Sequence, residues 1–253
     1  MDTMTITNID KLGVPAALAA EVQAYCSELI RAYRGQISSI TVIGSAVTTD
    51  FSGASSDVNI LVVFTELELE DLATVVWPRG SWLRRSRLSP RFISRRNLES
   101  AARFFPLDAW MMKEQHVTIV GADLLASIAI ERHDLLWQVT HEVKGLRMRL
   151  KQQYVRSRGE GEVVRRILSS HFTTLLCLAR ALLFLRNTPP HAALDQMIAQ
   201  AANVLCIDAA CMADLRNVKE GALRVSRANA ARLFIGLLHI VRRLDDMATE
   251  LSL

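Results

Sequence analysis

Apolar positions recur at helical spacing over residues 14–34, "VPAALAAEVQAYCSELIRAYR", and Gly35 stops the run, so the pattern predicts an opening helix. The period then shortens. "ISSITVIG" reads as a β-branched strand ending at Gly44, and "VNILVVF" as a second strand, apolar enough to be buried on both faces. The acidic "ELELEDLATVVW" predicts a helix whose carboxylates sit near the positive end of its dipole. Ser94 is placed to cap a further helix, "RRNLESAARFF", and "FPLDAWMM" and "HVTIVG" predict two more strands.

Past Asp123 only helical periodicity remains. The expected helices cover about 131–157, 161–186, 190–205, 208–217 and 226–250, divided by "RSRGEG", "RNTPPH" and "LRNVKEG". "LLCLARALLFL", residues 175–185, is apolar nearly all round and should be the central helix. The last segment, "ANAARLFIGLLHIVRRLDDMATEL", is amphipathic; it is expected to close the bundle, with a homodimer surface as the alternative. The expected fold class is α+β: a small mixed-sheet domain over residues 1–125, then an all-helical bundle over 126–253.

Composition adds little against this picture. Half of the 253 residues are hydrophobic, enough for a substantial core. No stretch approaches the ~20 uninterrupted apolar residues of a membrane span, and "MDTMTITNIDKLG" lacks the basic and apolar run of a secretory leader, so a cytoplasmic location is expected. Cys26, Cys177, Cys206 and Cys211 fall in apolar segments without a CxxC pair and read as reduced core thiols. The charge is only +4, yet 25 of the 30 basic residues are Arg, and residues 79–103 hold eight of them against one acid, Glu99. Such a run suits phosphates or an acidic partner. As a nucleic-acid interface it is the weaker reading, because Arg clusters usually decorate solvated faces.

The candidate chemistry lies in "IGSAVTTDFSGASSDVNILVVF", residues 43–64. Gly44 lets backbone approach a ligand, the first N–H groups of a short helix behind it attract phosphate oxygens, and the Ser45 hydroxyl adds a donor. On a strand, residues 57 and 59 point to one face about 6.6 Å apart along it. A carboxylate pair there could hold metal ions, completed by a third acid from an adjacent strand. Asp108, on the strand expected at "FPLDAWMM", is the candidate, with Trp110 and Met112 on its face by alternation.

These residues resemble the signature of the nucleotidyltransferase superfamily with the DNA polymerase β-type fold: Gly-Ser, a spacer of about ten residues, then Ser-Asp-x-Asp entering an apolar strand. The helical second half is similar in architecture to that of aminoglycoside and other small-molecule nucleotidyltransferases. The resemblance implies that Gly44, Ser45 and Ser56 hold the nucleotide triphosphate, that Asp57 is the first metal-binding carboxylate, and that Asp108 is the third acid, holding a metal or deprotonating the acceptor. It implies magnesium or manganese, an NTP as substrate and an acceptor hydroxyl on a small molecule or protein.

Asn59 stands where the second carboxylate belongs. Asn keeps an acceptor oxygen but drops the charge, and a lost charge beside a divalent ion forfeits on the order of several kcal/mol of attraction. Transfer of phosphoryl-type groups rests on positioning and charge, so an efficient two-metal enzyme is not expected. Two readings stay open: a transferase with a weakened metal site, in which Asp50 could supply the missing charge, and a nucleotide-binding or partner-binding protein on the same scaffold.

Other constellations are bland. "HEVKG" puts Gly145 where a zinc helix needs its second His, although His141, Glu142, Lys144 and Arg147 form a polar band that could line an acceptor pocket. Trp77 and Trp82 near Arg could stack a base, and more often would pack a loop. There is no Walker loop and no dinucleotide fingerprint.

Overall fold

The β-branched stretch Ile37–Ile43 forms strand β1, and Val58–Phe64 returns antiparallel beside it as β2, pairing Ile43 with Asn59 and Val42 with Ile60. Strand β3, Leu88–Ser94, lies on the far side of β2 and runs parallel to it, while β4, His116–Gly121, pairs antiparallel with β1. The sheet is therefore mixed, in the order β3-β2-β1-β4. This computed structural model describes residues 4–33, 35–48, 51, 57–68 and 87–252. Most of the expected "ELELEDLATVVW" helix, with Asp50, Ser56, Trp77, Trp82, Arg84 and Arg85, lies outside the described residues.

Alternation along the strands divides the side chains between two layers. Val58, Ile60, Val62 and Phe64 join Ile40 and Val42 on one face, against Val22, Tyr25, Cys26 and Leu29 of helix α1, Ala16–Ala32. On the other face, Ile43, Leu61 and Val63 meet Leu98 and Ala102 of α2, Arg95–Phe104, and Ala109 of α3, Pro106–Glu114. Burial on both sides explains why β2 is almost wholly apolar. It also places Asn59 on the α2–α3 side, in step with Leu61.

One expectation is corrected, and one strand was not expected. "FPLDAWMM" is helix α3, not a strand: Pro106 occupies the first helical turn, where its missing N–H costs nothing, Asp108 sits in that same turn near the positive pole, and Lys113 lies in the last. Conversely "LSPRFIS", within the Arg-rich run, is strand β3. Pro90 and Arg91 break its apolar pattern, and an edge position tolerates both. Ser94 caps α2 as expected, its hydroxyl accepting the Asn97 N–H at 3.2 Å.

The chain divides into two units, Met1–Ile130 and Glu131–Leu253. The second is a helical bundle of α4 (Arg132–Ser157), α5 (Gly161–Leu185), α6 (Leu194–Leu205), α7 (Ala209–Glu220) and α8 (Arg227–Leu251). Helix α5 packs against the other four. It is long and apolar enough by composition to cross a membrane, and half of its most apolar window is buried inside the bundle. Helix α8 turns Phe234, Leu237, Val241 and Leu244 inward and packs on α4, α5 and α7.

Candidate functional site

Gly44 leaves β1 with φ +80°, a region closed to most side chains, and Gly44–Val47 winds into a single 3-10 turn. The turn is held from several sides. The Gly44 N–H donates to the Gln115 carbonyl at 2.9 Å, and the Gly13 N–H donates to the Ala46 carbonyl at 2.9 Å. Thr48 donates its N–H and hydroxyl to the Ser45 carbonyl, at 3.2 and 3.1 Å. The turn that the sequence singled out is thus a fixed backbone feature with the Ser45 side chain half-buried on it.

Asn59 lies beside this turn. A β-carbon placed on Gly44 would stand 3.9 Å from Asn59 Nδ2. The amide presents N–H donors that phosphate oxygens accept, whereas a carboxylate at the same place would offer acceptors only. Asp57 is exposed, one residue before β2 begins. The Val58 N–H donates to the Arg87 carbonyl at 2.7 Å, which sets Asp57 and Arg87 at the heads of adjacent strands.

The structure does not set Asp108 on a strand beside Asn59. Asp108 is exposed in the first turn of α3, and it is the opposite end of that helix, through the Gln115 carbonyl, that meets Gly44. Seven residues of helical rise separate the two ends by about 10 Å. Trp110 does not share its face, since residues two apart on a helix diverge, whereas Met112, four residues on, lies on the same face as Asp108.

Register identifies what does flank Asn59. The row across the sheet reads Ser89, Asn59, Ile43, His116. None of the four strands carries an Asp or Glu. Among the described residues no group of three His, Cys, Asp or Glu side chains could hold a metal ion. Among the described residues the donor set around Asn59 therefore does not fit a pair of divalent cations, which need clustered anionic oxygens.

At the end of that row, His116 Nδ1 lies 2.8 Å from the Lys113 carbonyl and Nε2 lies 3.0 Å from Asp123. Asp123 also accepts the Ala126 N–H at 3.1 Å. Partial burial pushes the Asp123 carboxyl up, but the hydrogen bonds from His116 and Ala126 outweigh it and hold the group below its ordinary value. Sequence reasoning missed this pair, whose only signal was a His at the start of one short strand and an Asp two residues past its end.

The polar band on α4 is largely committed within the bundle. Lys144 and Arg147 each bind the carboxylate of Asp245 on α8, both at 2.7 Å, and Glu142 lies 3.6 Å from Arg149. His141 stacks on Trp137, ring centroids 5.6 Å apart. In the first unit, a pocket of about 250 Å³ opens between α2 and residues 124–129, lined by Arg95, Leu98, Leu124 and Ile128 and by none of the turn residues.

No family model matches the chain, and no curated protein does. Among solved structures, a spectinomycin adenyltransferase from Enterococcus faecialis, with ATP and spectinomycin, matches 89% of this chain and 98% of its own, with a TM-score of 0.56 and 11% identity. The protein has the nucleotidyltransferase fold. At 11% identity the likeness speaks for the path of the backbone and not for any side chain.

Proposed function

We propose that this protein binds a nucleoside triphosphate at the Gly44–Ser45 turn and the head of β2, on a scaffold whose two-metal nucleotidyl transfer is impaired. The supporting observation is the pairing of Asn59 with the turn: its amide lies beside Gly44, and no strand of the sheet offers a carboxylate next to it. Backbone N–H groups of the turn, the Ser45 hydroxyl and the Asn59 amide are donors suited to phosphate oxygens.

The second reading is a working transferase, moving a nucleoside monophosphate from an NTP to a hydroxyl with magnesium or manganese at Asp57. It draws support from the extent of the likeness, since the matched adenyltransferase is covered almost end to end by both units of this chain. Nucleotide and acceptor are the partners under this reading; nucleic acid and membrane are not proposed.

Calorimetry with ATP, paired with a pyrophosphate-release assay over a panel of hydroxyl acceptors, separates the two. Binding without pyrophosphate supports the first reading. Turnover supports the second. Absence of any NTP affinity removes both.

A further inference from the structure

The edge strand β3 carries a charge opposite to the one a metal site would need. Leu88 and Phe92 pack on the α1 side of the sheet and Ile93 packs on the α2–α3 side. Alternation therefore places Ser89 and Arg91 on the α2–α3 side with Asn59, and Arg87 in step with them just before the strand. The parallel register sets Ser89 against Asn59 and Arg91 against Leu61, while Arg87 heads the strand beside Asp57. Arg87 is half-buried and Arg91 exposed, and among the described residues no carboxylate pairs with either. Arg95, the first residue of α2, is instead held by Glu99 at 3.1 Å.

On β2, β3 and the residues that head them, two guanidinium groups stand against the one carboxylate of Asp57. Guanidinium donors bind phosphate oxygens in pairs and remain charged at any physiological pH. We infer that the site takes its triphosphate as the metal-free polyanion, with Arg87 and Arg91 supplying the positive charge and Asn59 the donor beside the turn. This rests on the nucleotide-binding reading above and specifies the ligand form. A cationic site prefers the more negative ligand, so magnesium, by neutralising part of the triphosphate, weakens binding rather than enabling it.

The test is calorimetry of the full chain with ATP and with inorganic tripolyphosphate, each in EDTA and in excess magnesium. The expected result is binding of both ligands in EDTA, loosened severalfold by magnesium. Arg91→Ala should weaken binding in EDTA ~10-fold and the Arg87→Ala/Arg91→Ala pair ~100-fold, as the loss of one and two charge-assisted contacts would. Arg87→Lys/Arg91→Lys keeps the charge and should recover part of the loss, which separates a charge role from a folding defect. Binding that requires magnesium overturns the metal-free inference and leaves nucleotide binding intact. Binding in EDTA that ignores both arginines also overturns it. No binding of ATP under either condition removes the underlying reading as well.

Discussion

Gly13 presses against the carbonyl of Thr48 so closely that a β-carbon at position 13 would stand 2.0 Å from that oxygen. The contact is backbone on backbone, so neither side can turn away. With the hydrogen bond from Gly13 to Ala46, it makes the segment before α1 the buttress of the Gly44 turn. Gly13→Ala should therefore displace the turn, costing about 2 kcal/mol or more of stability. ATP affinity should fall further than the melting temperature alone would imply. Calorimetry on the folded fraction checks it; unchanged affinity would mean that the turn does not hold the ligand.

Gly44 makes a different prediction. Its would-be β-carbon has room, with Asn59 at an ordinary 3.9 Å, but its φ of +80° strains any L side chain. Gly44→Ala should cost about 1–2 kcal/mol through backbone strain. Replacing Asn59 by Ala in the same chain should not relieve it, because there is no clash to remove. Thermal melts of the single and double variants decide this.

How much of this was legible in the sequence depended on whether a pattern was decided locally. β2 announced itself because burial on both faces leaves an unbroken apolar run. β3 did not, since Pro90 and Arg91 look like a loop until a neighbouring strand supplies its partner. Asp108 was misassigned because "FPLDAWMM" is apolar at both strand and helix spacing. Only Pro106 at the helix start and the stop at Gln115 reveal the turn count. The turn at Gly44 and the place of Asn59 on the strand after it were legible from spacing. The basic flank of Asn59 was not, because which strand lies beside β2 is a fact of topology.

The Asp245 triad predicts a pH effect in the bundle. Burial raises the Asp245 carboxyl, but hydrogen bonds from Lys144 and Arg147 outweigh this and hold it below its ordinary value of 3.8. A carboxyl depressed on folding contributes stability that is fully present above its unfolded value and is lost as pH falls through the lower folded one. Urea denaturation should thus lose stability below about pH 4, and Asp245→Asn should flatten that part of the profile while costing about 1–3 kcal/mol at neutral pH. A profile unchanged by the substitution would contradict the triad's role.

A steric test addresses the contact between α7 and α8. A β-carbon on Gly236 would meet Cys211 Sγ at 2.4 Å, while the Cys211 β-carbon is 3.6 Å away. Gly236→Ala should cost about 1–3 kcal/mol alone, and Cys211→Ala should recover most of it, a coupling visible in a double-mutant cycle.

Thiol chemistry follows from burial. Burial pushes the Cys211 thiol up to about 11 and that of Cys26 up to about 12, whereas Cys206 is exposed. A maleimide should label Cys206 first, and mass spectrometry of early time points should find Cys26 and Cys211 unmodified.

Titration of ATP into isotopically labelled protein, followed through the amide resonances of Gly44, Ser45 and the Asn59 side chain, addresses the binding site itself. The account predicts saturable shifts at these three positions at ATP concentrations matching the calorimetric affinity. Shifts confined to other parts of the chain, with these three unmoved at saturation, would contradict it.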